Sequence, residues 1–142
     1  MILPCELMCN SEDETINVAN DFSPILKNGD VVCLSGELGA GKTFFVKALL
    51  KNYGIDNVNS PSFAIVNQYS GGKHFFHFDF YRLKNINELH DIGISEYMMN
   101  EESIKLIEWA ELFPEILPVN RIEINFEILN SETRKITIKK NE

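Results

Sequence analysis

The apolar positions of this chain fall into two kinds of run. Short continuous runs predict strands buried on both faces, as in Asp30-Val31-Val32-Cys33-Leu34-Ser35 and in Ser103 to Glu108. Strict alternation predicts a half-buried strand, as in Ile122, Ile124, Phe126 and Ile128 of the tail. Helical spacing appears in Ile16, Ala19, Phe22 and Ile25 or Leu26, which predicts a helix running towards Lys27. Its start is marked by Ser11-Glu12-Asp13-Glu14, a capping box with Ser11 as N-cap and Glu14 three residues later. Pro24 should bend or shorten this helix, and Asn28-Gly29 should close it.

The remaining segments follow the same logic. Residues 2 to 9 suit a short first strand, and Phe44 to Lys51 suit a helix ending near Gly54. Tyr53 to Asn59 is a connection. A hairpin is predicted from Phe63–Tyr69 and Lys73–Phe80 across Ser70-Gly71-Gly72. Asn85–His90 and Ser95–Asn100 are short helical segments around Gly93, and residues 109 to 117 a brief helix interrupted by Pro114. A second hairpin joins Arg121–Leu129 to Thr133–Lys139 across Asn130-Ser131-Glu132. No repeat, low-complexity tract or linker divides the chain, so residues 1–142 are expected to form one domain.

Between the buried strand at 30–35 and the helix at 44–51 lies Gly36-Glu37-Leu38-Gly39-Ala40-Gly41-Lys42-Thr43. It fits the phosphate-loop pattern G-x-x-x-x-G-K-[ST] at every specified position. Glycines let the backbone approach phosphate oxygens closely, and the loop N–H groups then converge there beside the positive end of the following helix. Lys42 is placed to reach the outer phosphates, and the Thr43 hydroxyl to hold Mg²⁺. An ordinary glycine turn before a helix is the plain alternative, and the full strand–loop–helix context argues against it. The fold class predicted is α/β: a three-layer sandwich of the phosphate-loop NTPase kind, its mostly parallel central sheet extended by antiparallel hairpins.

Composition narrows the function classes. Hydrophobic residues make up 44% and charged residues 24%, as in ordinary globular proteins. The net charge of −8 argues against direct grip on a nucleic-acid backbone. No apolar stretch approaches the ~20 residues needed to cross a bilayer. Met1-Ile2-Leu3-Pro4-Cys5 lacks the pattern of a signal peptide, so a cytoplasmic protein is expected. Cys5, Cys9 and Cys33 lack a disulfide framework, and Cys33 reads as a core residue.

Hydrolysis needs a carboxylate near Mg²⁺ as well as the phosphate loop. Two apolar runs end in one: Phe75-Phe76-His77-Phe78-Asp79 and Ile104-Lys105-Leu106-Ile107-Glu108. Either acid could instead be a solvated strand end or an ion-pair partner. Structural roles are expected for His74, His77 and His90, since His74 and His77 point to opposite faces of a strand. Arg82, Arg121 and Arg134 could offset charge in phosphoryl transfer, with surface pairing as the plain reading. Ser60-Pro61-Ser62 is either a connecting turn or a switch loop bringing Ser62 near the nucleotide.

Taken together, the phosphate loop, Ser60-Pro61-Ser62-Phe63, His77-Phe78-Asp79-Phe80-Tyr81-Arg82-Leu83, Ile92-Gly93-Ile94-Ser95-Glu96-Tyr97 and Leu106-Ile107-Glu108-Trp109 resemble the TsaE (YjeE) family. The resemblance spans nearly the whole chain. It implies an ATPase of the bacterial machinery that makes threonylcarbamoyladenosine at position 37 of tRNA. It further implies action with the TsaB and TsaD proteins, contact with tRNA only through that complex, and no membrane association. The resemblance assigns Leu38, Gly39, Ala40, Gly41, Lys42 and Thr43 to the ATP loop, and Thr43 with Glu108 to Mg²⁺. Lys42, Asp79 and Glu108 carry over as the catalytic groups, and Trp109 as a residue fixing the strand end. Thr15 and Arg134 match regions flanking the nucleotide base. Ser62 stands where the family has Thr, and Ala110 where Pro often follows the Trp.

Two other functions compete with this one. A phosphate-loop small-molecule kinase usually closes an arginine-rich lid, and no arginine cluster is present here. A nucleotide-sensing binding module with negligible turnover fits the same residues, and only a turnover assay separates it. A GTPase is disfavoured because no N-K-x-D motif occurs.

Overall fold

In the computed structural model, described for residues 1–59 and 65–142, seven strands form one sheet. The elements run β1 (Cys5–Cys9), α1 (Glu12–Phe22), β2 (Val31–Gly36), α2 (Lys42–Lys51), β3 (Val66–Ser70) and β4 (His74–Asp79). They continue with α3 (Asn87–Asp91), α4 (Ile94–Met99), β5 (Ile104–Glu108), β6 (Arg121–Ile128) and β7 (Arg134–Asn141). The order across the sheet is β1-β7-β6-β2-β5-β4-β3.

The four central strands β6, β2, β5 and β4 are mutually parallel. Both edges are antiparallel additions: β3 on β4 at one side, β7 on β6 and β1 on β7 at the other. This is the predicted sheet, and its burial follows the sequence pattern. β5 is buried at every position, and β2 from Val31 to Leu34. β6, covered on one face only, alternates with Ile122, Ile124 and Phe126 inward.

Helices cover the two faces. On one, α1 buries Thr15, Val18, Ala19 and Phe22, the i, i+3, i+4, i+7 stripe of a core-facing helix. It packs beside α2, with Phe22 and Phe45 rings 6.1 Å apart, and Phe45 reaches Phe126 of the sheet at 5.5 Å. Val32, Leu34, Phe75, Leu106 and Ile124 complete that core. On the other face Leu89 of α3 and Ile94 of α4 cover Val31, Cys33, Phe78 and Ile107. Cys33 is buried there, and burial pushes its thiol up to about 12. Its core role is as predicted.

Several boundaries differ from expectation for identifiable reasons. The capping box at Ser11 forms, with the Glu14 N–H donating to Ser11 Oγ at 3.2 Å. Its return bond, however, comes from the Asn10 N–H to Glu14 Oε2, one residue ahead of the N-cap. α1 stops at Phe22, and Ser23–Ile25 tighten into a 3₁₀ turn with Pro24 near its start. Residues 109 to 117 form two 3₁₀ turns, Ala110–Leu112 and Pro114–Ile116, in place of a helix. Among the described residues no helix is long and apolar enough to cross a membrane.

Candidate functional site

The C-terminal ends of the parallel strands converge where the phosphate loop leaves β2. Gly36 takes φ +150° there, and a Cβ on it would lie 2.6 Å from the Phe126 carbonyl oxygen. Only glycine lets β2 and β6 approach so closely. Gly39 and Gly41 also have positive φ, +80° and +107°, but a Cβ on either would meet nothing within 4 Å. Their open side faces two clefts that share Gly39, Gly41 and Phe44.

The first cleft, about 590 Å³, is bounded by Cys9, Thr15, Phe44, Phe126, Arg134 and Ile136 among others. Thr15 and Arg134, far apart in the chain, thus line one cavity. Thr15 Oγ1 donates to the Ser11 carbonyl at 3.4 Å. Arg134 Nη1 donates to the Asn130 carbonyl at 2.9 Å, which holds the guanidinium at the β6–β7 turn.

The second cleft, about 370 Å³, carries the charged groups Lys42, Asp79, Arg82 and Glu108 and the Thr43 hydroxyl, with Leu38 and Trp109 also lining it. Parallel pairing of β4 and β5 sets Asp79 opposite Glu108, so the two acid-ended strands deliver their carboxylates side by side. Glu108 is buried, and its Oε1 accepts from the Thr43 hydroxyl at 2.6 Å. These residues lie 65 positions apart in the chain. Burial raises the Asp79 carboxyl above the usual range, against the pull of the Tyr81 N–H that donates to it at 3.0 Å. The neighbouring charge of Glu108 pushes in the same direction as burial.

Lys42 is buried and turned back on its own loop. Its ammonium donates to the Gly36 carbonyl and, at 3.1 Å, to the Glu37 carbonyl. The same Nζ lies 4.0 Å from the centroid of the Trp109 ring. Burial lowers the Lys42 pKa, while Glu111, Glu108, Asp79 and Glu37 oppose that shift. Trp109 adopts φ +61°, and its N–H donates to the Leu34 carbonyl at 3.0 Å, tying the end of β5 to β2. That tie is made by the backbone; the indole itself packs on Lys42 and on the Tyr81 ring, 4.7 Å away between centroids.

Two groups escaped the reading of the residues. His77, assigned a structural role, is fully buried and its Nε2 lies 2.5 Å from Glu108 Oε2. Period-two alternation already puts His77 and Asp79 on one face of β4. What was missing is that β5 is the parallel neighbour, which brings Glu108 to that face. Glu111 Oε2 accepts from the Gly36 N–H at 3.1 Å, so the 3₁₀ turn after Trp109 steadies the first residue of the loop. No local pattern announces a contact between residues 75 positions apart. Ser62 lies outside the described residues, as does the rest of Ser60 to Phe63.

The donor set suits a hard divalent cation. Thr43 and Glu108 offer oxygen only, Asp79 adds a second carboxylate nearby, and Mg²⁺ is commonly held by one or two carboxylates with phosphate oxygens and water. The open side of Gly39 and Gly41 suits close approach by a phosphate chain.

A strand, a glycine loop and a helix, flanked by a parallel strand that ends in a buried acid, define a phosphate-loop α/β protein. Comparison with solved structures agrees: Bacillus subtilis YdiB superposes with a TM-score of 0.81 at 29% identity, covering 100% of this chain and 88% of that one. The profile of "Threonylcarbamoyl adenosine biosynthesis protein TsaE" matches residues 9–136. The chain belongs to the TsaE family. Proteins named tRNA threonylcarbamoyladenosine biosynthesis protein TsaE include one from Rickettsia bellii, 36% identical over 96% of both chains. Others are from Bacillus subtilis, 39% identical over 88% of this chain and 78% of that one, and from Aquifex aeolicus, 37% identical over 94% of both.

Proposed function

We propose that this protein is the Mg²⁺-dependent ATPase of tRNA threonylcarbamoyladenosine biosynthesis, acting with TsaB and TsaD. The observation that carries the reading is the Thr43–Glu108 pair, an oxygen site at the phosphate loop with Lys42 and Asp79 beside it. The pathway comes from family membership.

The residues divide the work as follows. The N–H groups of Leu38 to Thr43 hold the phosphate chain, and Lys42 leaves the Gly36 and Glu37 carbonyls to meet the outer phosphates. Thr43 and Glu108 would hold Mg²⁺, which when bound would supply positive charge to offset that of the phosphates. Asp79, with its raised pKa and its place beside Glu108, is the group suited to orienting or deprotonating an attacking water. The larger cleft, walled by Phe44, Phe126 and Ile136, takes the base between Thr15 and Arg134. Lys42 engaged by its own loop and by Trp109 favours slow turnover until a partner rearranges that contact.

The test is ATP turnover by the purified protein alone and with saturating TsaB–TsaD, each repeated with Lys42→Ala. The expected result is slow basal hydrolysis, a changed rate in the complex, and none in the variant. Wild-type turnover by a well-folded Lys42→Ala protein overturns the assignment. Tight ATP binding with no hydrolysis under either condition makes the protein a nucleotide-sensing module.

A further inference from the structure

His77 is an ionisable side chain sealed between β3 and β5, opposite Asn67 and Leu106. It has no exposed surface, and Tyr69 lies over one side with ring centroids 6.4 Å apart. A polar ring so placed costs free energy unless its nitrogens are satisfied. One is: Nε2 lies 2.5 Å from Glu108 Oε2. The other, Nδ1, has no hydrogen-bond partner among the described residues. An apolar side chain would fill the same space without leaving a buried nitrogen unpaired, so packing alone does not account for histidine here.

A carboxylate oxygen accepts, so the proton of this contact sits on Nε2, which donates to Glu108 Oε2. Glu108 then receives one donor on each oxygen: the Thr43 hydroxyl on Oε1 and His77 on Oε2. Two donors from two different elements, α2 and β4, stop the carboxylate from rotating about its last bond. Its remaining lone pairs keep a fixed direction beside Thr43. Partners behind a ligand carboxylate or imidazole commonly set its orientation in this way.

We propose that His77 is a positioning residue for the metal site, orienting the Glu108 carboxylate towards Mg²⁺ through its Nε2–H. This deepens the proposed Mg²⁺ role of Glu108 and rests on it. The ring itself is not a ligand: Nε2 is engaged by the carboxylate, and His77 lines neither cleft. The role requires a donor at the Nε2 position and nothing at Nδ1, which predicts an ordered response to substitution. His77→Gln can place an amide N–H near Nε2, whereas His77→Asn stops near Nδ1 and cannot reach Glu108.

The experiment measures the affinity of a fluorescent ATP analogue across a Mg²⁺ titration and in excess EDTA, for wild type, His77→Gln, His77→Asn and His77→Ala. Thermal melts accompany each protein. For His77→Asn and His77→Ala we expect the Mg²⁺ concentration that gives half-maximal enhancement to rise about 10–100-fold. Affinity in EDTA should be unchanged, and His77→Gln should stay within about threefold of wild type, if the bond to Glu108 is what matters. The inference is overturned if Asn and Gln variants share the wild-type Mg²⁺ response, or if both lose it equally in proportion to a lowered melting temperature. Should wild-type affinity itself ignore Mg²⁺, the metal-site reading falls, and His77 with it.

Discussion

Gly36 offers the most direct test of how the fold serves the loop. In Gly36→Ala the new methyl would sit 2.6 Å from the Phe126 carbonyl oxygen and 3.1 Å from Phe126 Cβ. The oxygen belongs to β6 backbone, in register with Gly36, so it cannot swing aside as a side-chain tip could. Holding alanine at φ +150° costs about 1–3 kcal/mol. Relieving the contact by parting β2 from β6 costs about 1–3 kcal/mol more, the range found for overfilled cores. The sum is about 2–6 kcal/mol. Gly39→Ala is the internal control. It meets no atom within 4 Å and bears only the penalty of a positive φ, about 1–2 kcal/mol. Chemical denaturation of both variants beside wild type, with two-state behaviour checked by two probes, gives the difference. Gly36→Ala should also weaken ATP binding, because the Gly36 carbonyl accepts from Lys42 and its N–H donates to Glu111. A Gly36→Ala protein as stable as Gly39→Ala would refute the claim that strand contact, and not loop chemistry, demands glycine at this position.

Other outcomes follow from the same geometry. Glu108→Ala should raise the Mg²⁺ needed for hydrolysis far more than it weakens nucleotide docking, and an unchanged Mg²⁺ titration would transfer the ligand role to Asp79. Arg82→Ala and Arg134→Ala should leave TsaB–TsaD-dependent turnover within about tenfold of wild type if the stabilising charge, worth roughly 10³–10⁵ where an arginine supplies it, comes from a partner. Fast partner-free turnover abolished by either variant would show a self-sufficient ATPase. Lys105, buried at the opposite end of β5, donates to the Gly29, Asn100 and Ser103 carbonyls. Lys105→Met should therefore lower unfolding free energy by about 1–3 kcal/mol while ATP affinity stays unchanged. A stable variant, or one with altered affinity, would contradict that division between scaffold and site.

Much of this protein is local in origin and was legible along the chain. The glycine loop, the Ser11 cap, the buried β2 and β5 runs, the alternating β6 and both hairpins each depend on neighbours a few residues away. Hydrophobic period and turn chemistry specify them directly. The phosphate-loop pattern points to Thr43 as a holder of Mg²⁺ and the strand ends single out Asp79 and Glu108, while the family resemblance is what pairs Thr43 with Glu108. What no local pattern contains is which strands become neighbours. β5 enters the sheet between β2 and β4, and that choice alone sets Glu108 against Thr43, His77 and the end of β2. The same packing folds Trp109 over Lys42 and brings Glu111 to the Gly36 N–H. Strand order is decided by burying every apolar face at once, a property of the whole chain. The groups that tune Glu108 and Lys42 therefore emerge only when the sheet has closed around them.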